Sequence, residues 1–272
     1  MKMLFNAVNG SVSIGNTEME YVSFGEGNRV FVLLPGLSDG LASVKGKALL
    51  LAPPYRQFFK EYTVYMFSRK NSMPEGYSIR DMAHDQAEAL KQLGISRISL
   101  LGVSEGGMIA QYFAADYPEM TEKLVLAVTS PKADDMVRGN LTRWARYAEE
   151  GNHRQLMIDT AEQSYSEAYL KKFRLMYPLI GLVGKPETYD RFLINVQAIL
   201  HFDASDILNQ ITCPTLIIGG EKDQIVGSGA SYALHKAIAG SQLFIYEGLG
   251  HAAYEEASDF NSRIYRFLQN EN

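Results

Sequence analysis

Short apolar runs alternate along the chain with longer stretches of helical spacing. Residues 30–34, 97–101, 123–129, 214–220 and 242–246 are apolar or nearly so. Runs of this length suit strands covered on both faces, as in parallel sheets. Residues 62–67 predict a further strand. Residues 11–14 and 19–24 alternate instead, with Gly15-Asn16 between them and Gly25-Glu26-Gly27 after, which predicts a hairpin. Residues 79–93 place Ile79, Met82, Ala83, Gln86, Leu90 and Leu93 near one helical face, with Ser78 as cap and Gly94 as stop. Residues 108–117 are Ala-rich and helical in spacing, and a helix over roughly 254–268 closes the chain. Strands alternating with helices predict an α/β, doubly wound, mainly parallel sheet.

One region breaks that rhythm. Between Pro131 and Thr212 no strand pattern stands out. Helical patterns cover 137–149, 153–164, 167–177 and 186–200, with residues 178–184 separating the last two. The expected organisation is a core of residues 1–131 and 213–272, with a helical cap at 132–212 inserted between two consecutive sheet strands.

Composition narrows the function. The 272 residues are 46% hydrophobic and 21% charged, which fits one large globular domain or one domain with a substantial insertion. A net charge of -5, with no basic cluster interleaved with aromatics, argues against nucleic acid as a partner. Cys213 is the single cysteine, so no intramolecular disulfide forms; before Pro214, at the mouth of an apolar run, it reads as a buried, inert thiol. Residues 1–6 lack the apolar core of a signal peptide, and no apolar run approaches a membrane span. A cytoplasmic protein with no stable membrane insertion is the expectation.

Chemistry concentrates at Gly102-Val103-Ser104-Glu105-Gly106-Gly107, between a predicted strand and a predicted helix. Glycines flanking a serine permit a sharp turn that lifts the hydroxyl clear of the sheet. The first amides of the helix then point, unpaired, into the same space. A serine needs a base, and the base an orienting acid. Of five histidines, His84 reads as a surface residue, His153 and His201 belong to the insertion, and His235 lies within a helix. His251 sits in a Gly-rich loop after a strand, on the sheet edge expected to carry Ser104. Asp223, in the loop after residues 214–220, is the matching acid. Glu221 competes with it, and Asp134 and Asp135 remain alternatives.

The order Ser104, Asp223, His251 on such a chain resembles the α/β-hydrolase family, over nearly the whole length from about Tyr21. Residues 109–119, 214–223 and Gly250-His251 carry the resemblance further. It implies the α/β-hydrolase fold and acyl transfer by Ser104, with His251 as base, Asp223 as orienting acid, and no cofactor or metal. The backbone N–H groups of Glu105 and, by position, Leu37 would form the oxyanion hole. Many relatives carry His-Gly where this chain has Pro35-Gly36, and Pro35 has no amide hydrogen to donate. Glu105 departs from the usual apolar or amide side chain; it is expected to turn from the pocket towards a hydroxyl or basic group of the cap.

The expected substrate is a small-molecule carboxylic ester. Lactones, thioesters, peptides and C–C bonds are also cleaved on this scaffold, and a non-enzymatic ligand receptor is the alternative of another class. Aromatic and aliphatic residues of the insertion, Trp144 and Ile199 among them, could line an apolar pocket; Arg138, Arg143, Arg146 and Arg154 could meet a substrate carboxylate. The Gly-rich turn has Ser104 where a dinucleotide site needs its second glycine, and no two histidines have metal-ligand spacing.

Overall fold

Eight strands form one sheet: β1 (Val8–Ile14), β2 (Thr17–Gly25), β3 (Arg29–Leu34), β4 (Tyr62–Lys70), β5 (Ile98–Val103), β6 (Thr121–Ala127), β7 (Thr215–Gly220) and β8 (Gln242–Tyr246). Their spatial order in the computed structural model, which describes residues 4–182 and 184–270, is β1-β2-β4-β3-β5-β6-β7-β8. The β1–β2 and β2–β4 pairs are antiparallel and every other pair is parallel.

The continuous apolar runs have a direct cause. Val32, Leu34, Leu100, Leu124, Leu126 and Ile217 enter one core, while their strand neighbours Phe31, Leu33, Leu101, Val125, Leu216 and Ile218 enter another. Successive side chains on a strand point to opposite faces, so a sheet sandwiched between two cores needs apolar residues at every position.

The helices are α1 (Ala48–Leu51), α2 (Ile79–Gln92), α3 (Glu105–Asp116), α4 (Asp135–Glu149), α5 (His153–Ser164), α6 (Glu167–Phe173), α7 (Tyr177–Ile180), α8 (Asp190–Leu200), α9 (Gly229–Ala237), α10 (Ala253–Glu256) and α11 (Phe260–Gln269). Helices α2, α3 and α9 contribute to the first core, α1 and α11 to the second. Ser78 caps α2 as expected: its hydroxyl accepts from Asp81 N at 3.1 Å, and the Asp81 carboxylate accepts from Ser78 N at 2.9 Å. Helices α4 to α8 all lie between β6 and β7, and α8 packs against a 3-10 turn at Leu37–Gly40 that follows β3.

Three expectations need correction. The closing helix is broken into α10 and α11 by extended backbone at Ala257. Contacts outside the helix hold the break: Tyr246 donates to Asp259 at 2.8 Å, and Ser166 N to Glu256 at 2.9 Å. The separator at 178–184 begins as helix α7, where Pro178 in the first turn needs no amide partner. Cys213 is only half-buried, though burial does push its thiol pKa up. Among the described residues no helix is long and apolar enough to cross a membrane.

Candidate active site

Ser104 stands between β5 and α3 with φ 54° and ψ -118°. A non-glycine residue there is strained, at a cost of about 1–3 kcal/mol, and persists only where its surroundings hold it. They do so through the backbone. Ser104 N donates to Ala127 O at 2.9 Å, Gly107 N to Ser104 O at 2.9 Å, and the Thr129 hydroxyl to Ser104 O at 2.7 Å. A Cβ on Gly106 would lie 2.0 Å from Leu34 O, so only glycine lets the turn press against β3. Sequence reading identified the glycines but not Thr129, the side chain that ties the turn to the end of β6.

The three residues picked from the sequence come together at the C-terminal ends of parallel strands. Ser104 follows β5, Asp223 lies three residues past β7, and His251 five past β8. His251 Nε2 is 2.9 Å from Ser104 Oγ, and His251 Nδ1 is 2.8 Å from Asp223 Oδ2. The loops carrying Asp223 and His251 are joined by Lys222 N donating to Leu249 O at 2.8 Å. The other Asp223 oxygen accepts from Ile225 N at 2.8 Å and Val226 N at 3.0 Å. Burial alone would raise the Asp223 pKa, but the His251 ring and those two amides hold it below the ordinary carboxylate value. An ionised Asp223 accepts only, so Nδ1 carries the ring proton and Nε2 is left to accept from the Ser104 hydroxyl.

The competing acids have other partners. Asp134 caps α4 by accepting from Val137 N at 3.0 Å, and Glu221 accepts from Gly248 N at 2.8 Å. His84, His201 and His235 are exposed and His153 is buried in α5, all apart from Ser104.

A cavity of about 100 Å³ opens beside Ser104 and His251. Gly36, Leu37 and Ser38 form one side; Val137, Leu141, Trp144, Thr160, Ser164 and Ile199 come from α4, α5 and α8. Leu37 opens the 3-10 turn and Glu105 opens α3, so both amides belong to first turns, where donors lack intrahelical partners. Trp144 and Ile199 were legible as candidates; Met108, Ile225, Val226 and Tyr254 also line the cavity and gave no sequence signal separable from ordinary core positions. None of Arg138, Arg143, Arg146 and Arg154 lines it; Arg143 instead pairs with Asp159 at 2.9 Å. Larger cavities exist, including a groove of about 570 Å³ edged by Tyr77, Arg80 and His201. That groove shares no lining residue with the cavity at Ser104, whose chemistry rather than its volume marks the site.

The Glu105 side chain turns from the cavity, as expected, but its direct partner is not in the insertion. It is fully buried and accepts from Arg69 Nη2, on β4, at 2.8 Å. Burial pushes its pKa up to about 7, against the pull of the Arg69 guanidinium. Among the described residues no three His, Cys, Asp or Glu side chains gather as a metal-binding group.

Comparison with known proteins agrees with this architecture. The chain is 25% identical to a human protein named serine hydrolase BPHL, over 97% of this chain and 87% of that one. It is likewise 25% identical to a 2-hydroxy-6-oxononadienedioate/2-hydroxy-6-oxononatrienedioate hydrolase of a Pseudomonas species, over 96% and 93% of the two chains. An enol-lactonase from Burkholderia xenovorans superposes with a TM-score of 0.81 at 20% identity, covering 96% of this chain and 100% of its own. A sequence model of the α/β-hydrolase fold matches residues 30–258, and with it the strand order and hydrolase relatives converge: the chain belongs to the α/β-hydrolase family.

Proposed function

We propose that this hydrolase cleaves small, uncharged carboxylic esters through an acyl-enzyme on Ser104. One observation carries the reading: the continuous Asp223–His251–Ser104 relay at 2.8 and 2.9 Å. His251 Nε2 takes the hydroxyl proton as Ser104 Oγ attacks the acyl carbon. Asp223 keeps the ring oriented and stabilises the imidazolium. The amides of Leu37 and Glu105 donate to the oxyanion. The leaving alcohol departs with the proton from His251, and water repeats the cycle to release the acid.

The lining of the cavity supports a neutral, short acyl group. Its walls are mostly aliphatic and aromatic, and among the described residues no Lys or Arg lines it. A substrate carboxylate would be desolvated there without a cation. The relative from Pseudomonas is named for dioates, which carry two carboxylates; this chain is proposed to prefer neutral esters. Residues 132–212 act as a cap, since α4, α5 and α8 supply one wall of the acyl site.

The test is a panel of p-nitrophenyl esters of increasing chain length, with amides and lactones beside them. Acetate and butyrate esters should turn over, and Ser104→Ala should abolish turnover while leaving the fold intact. A fluorophosphonate probe that fails to label Ser104 in folded protein would refute the nucleophile assignment. Binding of esters without turnover would favour a receptor.

A further inference from the structure

Four charged side chains meet beneath the proposed oxyanion site. Arg69 and Glu105 are both essentially inaccessible, Asp39 is 2% exposed, and Arg191 reaches in from α8. Arg69 Nη2 donates to Glu105 Oε2 at 2.8 Å, and Arg69 Nη1 lies 3.8 Å from Asp39 Oδ2. The same Asp39 oxygen accepts from Arg69 N at 2.9 Å and from Arg191 Nη2 at 2.6 Å. Arg191 also donates to Asp39 O through Nη1, and to Arg69 O through Nη2 at 2.8 Å.

The two carboxylates occupy telling positions. Glu105 is itself one proposed oxyanion donor. Asp39 lies two residues beyond Leu37, the other, and Asp39 N closes the turn around it by donating to Gly36 O at 3.1 Å. One guanidinium, Arg69, therefore stands between the segments carrying both donors, and a second, Arg191, ties the Leu37 segment to the insertion.

Stability alone does not account for this arrangement. Charges removed from water lose hydration that their pairing only partly restores, and apolar replacements of similar volume are often as stable or more so. Fixed geometry is what Arg191, bonded through Nε, Nη1 and Nη2, supplies in addition, through a planar fork that holds its partners in one relative position. Arg69, by contrast, is hydrogen-bonded through Nη2, and its Nε and Nη1 have no hydrogen-bond partner among the described residues. Oxyanion stabilisation depends on such preplacement: donors misplaced by about 1 Å lose roughly a hundredfold in rate.

We propose that Arg191 is a positioning residue, which holds the Leu37 amide in register with the Glu105 amide through Asp39 and Arg69. This rests on the serine-hydrolase reading above. It makes the efficiency of the site depend on α8 without any contact between Arg191 and substrate.

The experiment compares Arg191→Met and Arg191→Lys with wild type. Four quantities are read: kcat and KM on p-nitrophenyl acetate, the affinity of a trifluoromethyl ketone bearing a short acyl chain, and the rate of fluorophosphonate labelling. The ketone forms a tetrahedral oxyanion on the serine, and labelling reports the site whatever the natural substrate. In Arg191→Met, kcat and the labelling rate should fall by roughly 10- to 100-fold with KM changed less than about threefold. Ketone affinity should fall by the same factor as kcat. Arg191→Lys, which keeps the charge and one donor group, should recover part of each. Asp39→Asn, which retains the carbonyl acceptor, substitutes if Arg191→Met does not fold, and the same shifts are expected. Unchanged labelling and ketone affinity in a folded variant, or a change confined to KM, overturns the proposal alone. Wild type that is not labelled overturns the serine-hydrolase reading and this one with it.

Discussion

Replacing Asp223 by Asn tests how the proposed relay works, because the structure dictates which way the amide must face. Oδ1 accepts two backbone amides, from Ile225 at 2.8 Å and Val226 at 3.0 Å, while Oδ2 faces His251 Nδ1 at 2.8 Å. An Asn amide oxygen satisfies the two backbone donors only by turning its NH2 towards the imidazole. Flipping the amide would set its NH2 against two N–H groups in a buried pocket, leaving buried donors unpaired at about 1–3 kcal/mol each. The unflipped form therefore prevails, and its NH2 donates to Nδ1. The ring proton is driven to Nε2, where it faces Ser104 Oγ as a donor. His251 can no longer accept the hydroxyl proton at neutral pH. The expected loss in kcat is about 10⁴-fold, near 5 kcal/mol of transition-state stabilisation. Initial rates on p-nitrophenyl acetate between pH 6 and 10 measure it, with circular dichroism and thermal melts to verify the fold. The residual rate should climb with pH as hydroxide replaces the missing base. A folded Asp223→Asn enzyme retaining kcat within tenfold of wild type would refute the tautomer argument and send the acid role elsewhere.

Two other predictions concern the pocket and the buried cluster. Trp144→Ala should widen the acyl site and raise the kcat/KM ratio of hexanoate over acetate esters by about tenfold or more, since each buried methylene is worth about 0.8 kcal/mol. It should also destabilise the fold by about 3 kcal/mol, and an unchanged ratio would detach Trp144 from acyl selection. Glu105, raised by burial to about 7, gives a pH-dependent stability of definite sign. A carboxyl whose folded pKa exceeds its unfolded one contributes fully below about 4.5, and that contribution fades as pH rises through about 7. Wild type should thus lose stability relative to Glu105→Gln across this window, by on the order of 3 kcal/mol in all. Urea midpoints at pH 5 and pH 8 measure it; parallel pH dependence in the two proteins would contradict the assignment.

The parts legible in sequence were those fixed by short-range chemistry. Apolar runs at 30–34 and 214–220 announced strands with two buried faces, and Ser78 announced its helix through a cap three residues from its partner. Ser104, Asp223 and His251 were legible because chain order and strand ends constrain where such loops emerge. Arg69, Asp39 and Arg191 were not. Their charges look like ordinary solvated residues until folding brings positions 30 and 122 residues apart against one another. The break after Glu256 escaped for a similar reason, since Ser166 and Tyr246 impose it from other elements. Beyond Trp144 and Ile199 the pocket walls stayed hidden, because a residue facing a cavity and one facing the core have the same polarity.

The turn at Leu37–Gly40 divides the helical insertion into two kinds of material for engineering. A Cβ on Gly40 would lie 2.9 Å from Phe192 Cα, so α8 rests on the turn backbone with no space for a side chain. Transplanting a whole cap from another hydrolase would disturb that fit, and Leu37 with it. Helix α4 carries Leu141 and Trp144 on the cavity wall, whereas α5 is seated on the loop of His251, where Ala252 N donates to Ser164 O at 2.9 Å and a Cβ on Gly250 would lie 2.7 Å from the same oxygen. Libraries that vary α4 and leave α8 and the end of α5 untouched can search acyl selectivity without unseating the proposed oxyanion turn.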